Sequence, residues 1–321
     1  MIWLTWRQFR VQVLVALGAF VILGAVLAYT GPHLVHLYHD SGIRECQASH
    51  GDCGPLVDSF TSHYPFWHGL GPLITVVPAL IGMFWGAPLL ARELETGTYR
   101  VAWTQSVTRT RWLATKVVII GIASVVTAAA FTIMVASWLS PLDKVNANRF
   151  SPGAFSQHSI VPVAYAAFAF ALGVAVGAVI RRLVPAMAVT LLVFALTRLV
   201  IQQWVRQHFA TPIHVNSALF SGGSNAVGPN AWVVSSRVVD RTNHTVAIHR
   251  DSLRSVCHLP EGEFSRDALR ACAQRLGLHE ILTVQPANRY WPFQAWETAI
   301  FVVLAMVATG FAFWWTRHRI T

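Results

Sequence analysis

The residues able to do chemistry are few and unevenly placed. His33, His36 and His39 recur at i, i+3 and i+6, with His50, His63 and His68 following. Imidazole is the commonest metal ligand and titrates near neutrality, so the sharp reading is a metal or pH-responsive site. No His-Glu-x-x-His or comparable ligand motif accompanies them. The favoured reading is therefore a polar loop using histidine for surface hydrogen bonds, with no metal site. Paired acids, a His-x-x-x-Glu set and a Ser-Lys pair are all missing from the apolar runs, so no catalytic residue is assigned. No Gly-x-x-x-x-Gly-Lys-(Ser/Thr) loop occurs, and the glycines at Gly222, Gly223 and Gly228 form a connector rather than a phosphate cradle. The chain is expected to bind no cofactor.

The elements that hold these residues are set by composition. Of 321 residues 54% are hydrophobic and 12% charged, about half the charge of an ordinary soluble domain. Mean hydropathy is +0.49. Six stretches, roughly 11–30, 70–91, 113–139, 160–180, 183–205 and 293–316, are long and apolar enough to cross a bilayer as helices. The first exceeds the 7–15 apolar residues of a secretory signal and reads as a retained span. Arg181, Arg182 and then Pro185 separate the fourth and fifth as a tight hairpin. The expected fold is an all-α polytopic membrane protein. Residues 1–10, with Trp3, Trp6 and Phe9 at i, i+3 and i+6, are expected to form an interfacial amphipathic helix. Residues 11–205 hold spans one to five, with an outer loop at 31–69 and a cytoplasmic loop at 92–112. Residues 206–290 form a small α+β extracellular domain, and 291–321 the sixth span and a cytoplasmic tail.

Net charge is +10, from 24 Lys+Arg against 14 Asp+Glu. The basic residues flank apolar runs rather than forming a stripe with interleaved aromatics, which argues for lipid contact and against nucleic acid. Arg7, Arg10, Arg92, Arg100, Arg109, Arg111, Lys116, Arg181, Arg182, Arg317 and Arg319 share one side, which the positive-inside rule makes cytoplasmic, with both termini. The expected location is a bacterial plasma membrane. Cys46, Cys53, Cys257 and Cys272 all fall on the outer, oxidising side. Pairing within each segment, Cys46–Cys53 and Cys257–Cys272, is the economical choice, and cross-loop pairing stays open.

Within 206–290, residues 231–239 and 245–250 read as strands. Ser265 can cap a helix ending near Gly277 whose inner face carries Leu269, Cys272 and Leu276. Arg198 and Glu297 fall at similar depth in the fifth and sixth spans. Intramembrane charges seek partners, so a direct salt bridge is expected. Gly173 and Gly177 let helix backbones approach closely, most simply within this chain.

The loop Ala91-Arg-Glu-Leu-Glu-Thr-Gly-Thr-Tyr-Arg…Thr-Arg-Thr-Arg-Trp-Leu-Ala-Thr-Lys116 has more pattern than a connector needs. Gly97 breaks the chain, Thr98 can cap a short helix through Trp103, and Thr108 can cap the helix that becomes the third span. With Arg92, Glu93, Gly97, Thr98, Thr108, Arg109 and Lys116, the loop resembles that of type-2 ABC transporter permease subunits. The stretch Phe84-Trp-Gly-Ala-Pro-Leu-Leu-Ala-Arg-Glu-Leu-Glu-Thr-Gly-Thr is similar to the form found in actinobacterial exporters. The resemblance implies a permease subunit driven by a separate ABC ATPase, which binds the ATP and magnesium. It also implies a second permease copy or a similar permease. Arg92, Glu93, Glu95, Gly97, Thr98, Arg109, Arg111 and Lys116 would couple to the ATPase, with both acids pairing to its basic residues. The 206–290 segment departs from this pattern, being larger than the family's short outer loop. The rival readings are an ion-coupled transporter, which would show midplane helix breaks and internal repeats, and a sensor, which would need an inner output domain.

Overall fold

The computed structural model describes residues 2–49, 53–62, 67–99, 108–146, 148–219, 227–228, 230–246, 257 and 266–319. Six helices among them are long and apolar enough to cross a membrane: Phe9–Asp40, Leu73–Thr96, Arg109–Ser140, Val161–Ile180, Leu183–His208 and Ala287–His318. Helices are the expected solution, because lipid offers the backbone no hydrogen bonds. The chain divides into two compact units. One comprises Met1–Asn146, Ser156–Ile201 and Gln294–Thr321, the other Ala147–Phe155 and Gln202–Phe293.

In the first unit, α1 (Ile2–Asp40) is one continuous helix. Residues 1–10 therefore do not form a separate interfacial helix. No glycine or proline interrupts the chain before Gly18, so helical hydrogen bonding runs unbroken into the span. Phe9 is buried against Trp85, with ring centroids 4.9 Å apart. Nor is 31–69 simply a loop. α1 continues through Pro32 to Asp40, and α2 (Ile43–Ala48) and α3 (Gly54–Ser62) follow. A Cys46–Cys53 disulfide joins these two short helices. The second span is α4 (Trp67–Ile81), a π-helical turn at Gly82–Gly86, and α5 (Ala87–Thr96). Then come α6 (Arg109–Asn146), α7 (Val161–Ile180) and α8 (Leu183–Val200).

α7 is the axis of this unit, with 67% of its span window buried against 6% for the first span. Its packing depends on glycine. A Cβ added at Gly82 would lie 2.6 Å from the Ala169 carbonyl oxygen, and one at Gly86 2.5 Å from that of Phe170. From the other side, a Cβ at Gly177 would lie 2.5 Å from the Ala87 oxygen, and one at Gly173 would strike Gly82. Gly173-x-x-x-Gly177 thus packs within the chain, against a second Gly-x-x-x-Gly at Gly82 and Gly86. The buried hydroxyls of Ser124, Thr132, Thr190 and Thr316 donate to the carbonyl four residues back, so they need no partner on another helix.

The second unit contains an antiparallel three-stranded sheet in the order β1-β3-β2. Its strands are β1 (Ile213–Ala218), β2 (Trp232–Val239) and β3 (His279–Gln285), with a register irregularity between Val233 and Ser235. β2 lies where the sequence places a strand, while β1 and β3 do not read as strands in the sequence. Of the expected strand at 245–250, Thr245 makes a single bridge to Val239, and 247–250 lie outside the described residues. α9 (Arg266–Arg275) ends at Gly277, whose φ of +73° suits glycine. Ser265, its expected cap, lies outside the described residues. Leu269 and Ala273 pack on Leu219, and the Cys257–Cys272 disulfide holds the helix to the preceding segment. Leu276 is exposed rather than on the buried face, because it falls past the last helical turn. Phe150 joins this unit through Phe155, Trp232, Tyr290 and Phe293. The last span is α10 (Tyr290–His318).

Gly86→Ala is expected to destabilise the detergent-purified protein by about 1–3 kcal/mol, the range for overpacking. Gly18→Ala, with nothing within 4 Å of the added Cβ, is expected to be neutral. Thermal unfolding of both variants checks this.

Candidate functional site

The most organised set of charged groups lies at the arginine-rich end of the first unit, where the second and third spans meet. α5 does not stop at residue 91 but continues to Thr96, placing Arg92, Glu93 and Glu95 on its last turns. Gly97, with φ +73°, closes it in the left-handed conformation open to glycine. Thr98 Oγ1 lies 3.1 Å from Thr96 Oγ1. The helix expected to run from Thr98 to Trp103 falls largely outside the described residues. Thr108 starts α6 as expected, its hydroxyl accepting a 3.3 Å bond from the Arg111 amide.

Glu93 and Lys116 turn inward and form a buried ion pair. Lys116 also stands 4.8 Å over the ring of Trp112, one helical turn away. Leu90, Tyr99, Trp112 and Leu113 share the surrounding apolar core. Glu93 Oε2 is buried without a hydrogen-bond partner. Glu93 supplies the counter-charge that Lys116 needs where it enters the apolar core. A lysine at the head of an apolar run is the signal that points to this pair.

Glu95 is exposed but also engaged. Its Oε2 accepts a 2.8 Å bond from the Leu183 amide, at the first residue of α8. The capping position, Arg182, makes no side-chain cap bond, so Glu95 supplies it and adds a negative charge where the helix dipole favours one. Arg181, at φ +58°, ends α7 and donates to the Arg319 carbonyl at 2.8 Å. These contacts tie the second span to the third and fifth, and the fourth to the end of the last. Arg92, Thr98 and Arg111 remain exposed, and Arg109 is half-buried.

Arg198 and Glu297 do not pair directly. Glu297 is buried and accepts a hydrogen bond from the Tyr165 hydroxyl. The Arg198 guanidinium lies 5.1 Å from the Tyr165 ring centre and donates to the Thr75 carbonyl at 3.3 Å. Matched depth brings both charges to one tyrosine, but its ring and hydroxyl take the positions of a direct partner. Among the histidines, His39 Nδ1 lies 3.4 Å from the Arg44 guanidinium, while His50 and His63 fall outside the described residues. Among the described residues no group of three His, Cys, Asp or Glu is placed to hold a metal.

Residues 17–206, more than half of the chain, match the family described as ABC-2 membrane transporter related. The chain belongs to that family. No curated protein matches the sequence. The matched region holds both Gly-x-x-x-Gly pairs, the Glu93–Lys116 pair and the Glu95 cap, and it ends just before β1. This ABC-2 family chain is a multi-pass membrane protein with two disulfides.

Replacing Glu93 by Ala is expected to cost about 3–5 kcal/mol, the penalty for leaving a buried partner charge uncompensated. Joint replacement, Glu93→Leu with Lys116→Met, is expected to recover most of that loss. Unfolding of the three proteins in one detergent measures it.

Proposed function

We propose that this chain is the membrane subunit of an ABC exporter, moving substrate on ATP and magnesium bound by a separate ATPase subunit. The supporting observation is the knitted arginine-rich end inside the family-matched region. Movement of the segment between Glu93 and Lys116 would reach the second, third and fifth spans through the buried pair and the Glu95 cap.

The arginine-rich end faces the cytoplasm in this reading, with both termini on that side. By the parity of six spans, the segment between the fifth and sixth spans, expected at 206–290, then lies outside the plasma membrane, where disulfides persist. A second copy, or a similar permease, completes the pathway.

The docking surface differs from the one the loop pattern suggests. Glu93 and Lys116 are internal, Gly97 ends α5, and Glu95 caps a helix. Exposed Arg92, Thr98 and Arg111 form the rim, with Arg109 behind it. The ATPase would meet them with acidic groups, and the buried pair would act as a strut that passes the load.

Co-expression with the candidate ATPase tests this. Arg92→Glu with Arg111→Glu is expected to lower pull-down at least about tenfold, since like charges placed across an interface repel. The Glu93→Leu/Lys116→Met protein should still assemble. Unchanged assembly and unchanged substrate-stimulated hydrolysis in the charge-reversed protein would remove the docking assignment. For orientation, maleimide should label Thr98→Cys only after cells are permeabilised.

A further inference from the structure

An apolar cleft of about 450 Å³ runs along the face shared by α7, α8 and α10. Phe168, Val176 and Ile180 line it from α7, Val189 from α8, and Leu304 and Ala308 from α10. From Phe168 to Ile180 it extends about 18 Å at the helical rise. One leaflet of hydrocarbon is about 15 Å deep, half of the bilayer core. The cleft therefore has the height of a single leaflet.

Its depth in the membrane follows from tryptophan. Trp296 and Trp314 on α10 are both exposed and stand about 27 Å apart along the helix. That separation matches two aromatic belts at the faces of the hydrocarbon core. Ala308 and Phe311 thus belong to the half nearer Trp314, with Leu304 close to the midplane. The cleft opens towards the arginine-rich end. Ile180 is followed at once by Arg181 and Arg182, and α10 leaves the cleft towards Arg317 and Arg319. Arg182 and Arg319 are exposed; Arg319, eleven residues past Ala308, shares its helix face, and the Arg181–Arg319 bond joins the ends of the two flanking helices.

Size decides what fills this space. An acyl chain is slender enough to enter, and nothing polar lines the wall to oppose it. Arg182 and Arg319, beyond the Ile180 end of the cleft, select the headgroup, which must carry negative charge.

We propose that the cleft between α7, α8 and α10 is a binding site for an anionic phospholipid of the leaflet at the arginine-rich end, its acyl chain along Val176 and Ala308 and its phosphate on Arg182 and Arg319. The occupied cleft gives α10 a packing surface that the protein alone does not provide. Only 11% of its span window is buried within the protein.

Native mass spectrometry of the full-length protein, titrated with phosphatidylglycerol or phosphatidylcholine, tests the site. Photo-cross-linking with a diazirine-acyl phosphatidylglycerol then maps it. Phosphatidylglycerol should be retained preferentially and should cross-link within 168–180 and 304–311. Arg182→Gln with Arg319→Gln should lower that preference about 30-fold, from the attraction of two arginines to an anionic surface. Ala308→Trp, which fills the cleft, should abolish the cross-link. Equal retention of both lipids, or cross-links spread evenly over all spans, would overturn the proposal. So would an Ala308→Trp protein that loses only a second copy of the chain and keeps its lipid. If Ala308→Trp fails to fold, the arginine variant decides, because both side chains are exposed and removing them leaves the packing intact.

Discussion

Close approach of the second and fourth spans is the constraint on which the membrane unit depends. Two glycines on each side bring backbone to within contact distance of backbone, at Gly82 and Gly86 facing Ala169 and Phe170, and at Gly173 and Gly177 facing Gly82 and Ala87. In lipid no hydrophobic force drives helices together, so van der Waals contact between small residues must. The π turn at Gly82–Gly86 sits at this contact. It adds a residue to one helical turn and so resets the register of α5 relative to α4. The register of α5 determines which way Glu93 and Glu95 point. The glycine contact is therefore upstream of every charge interaction at the arginine-rich end.

Charge is used sparingly in the membrane unit, and a few of its charged groups turn inward. Glu93 with Lys116, and Glu297 with Tyr165, are buried polar contacts joining helices distant in sequence. Such contacts add little net stability over well-packed apolar residues, yet breaking one leaves an orphaned charge. Their value is geometric, since a buried pair tolerates one alignment of its two helices. The Glu95 bond to Leu183 is different, being exposed to solvent beside the buried pair.

The second unit is held together differently from the first. Its sheet, its Cys257–Cys272 bridge and its aromatic cluster around Phe150 supply the cohesion that a small core alone would lack. Residues 148–155 belong to this unit although they lie between the third and fourth spans in sequence. Asn148 donates to the Ala231 carbonyl and the Arg149 amide to Asn230, so two segments far apart in the chain build one body.

The six spans, the hairpin at Arg181–Arg182, β2, the Gly97 and Gly277 helix ends, the Thr108 cap and both disulfides were legible in the sequence. Each rests on local chemistry: apolar run length, a left-handed turn, a capping hydroxyl, or two cysteines sharing a segment. Only the tertiary structure decided where the charges point. Depth along a helix can be counted from sequence, but the rotation of a helix about its axis comes from packing. That is why Glu93 proves internal and why Tyr165 stands where a direct Arg198–Glu297 pair was expected. β1 and β3 went unread for a related reason. Both carry a mixed pattern that becomes a strand only when β3 pairs on its two edges at once, and pairing between distant segments leaves no local signal. Residues 1–10 show the same limit from the other side. Their aromatic spacing suits an interfacial helix, but the absence of a breaker before Gly18 and the seating of Phe9 on Trp85 made them the first turns of α1.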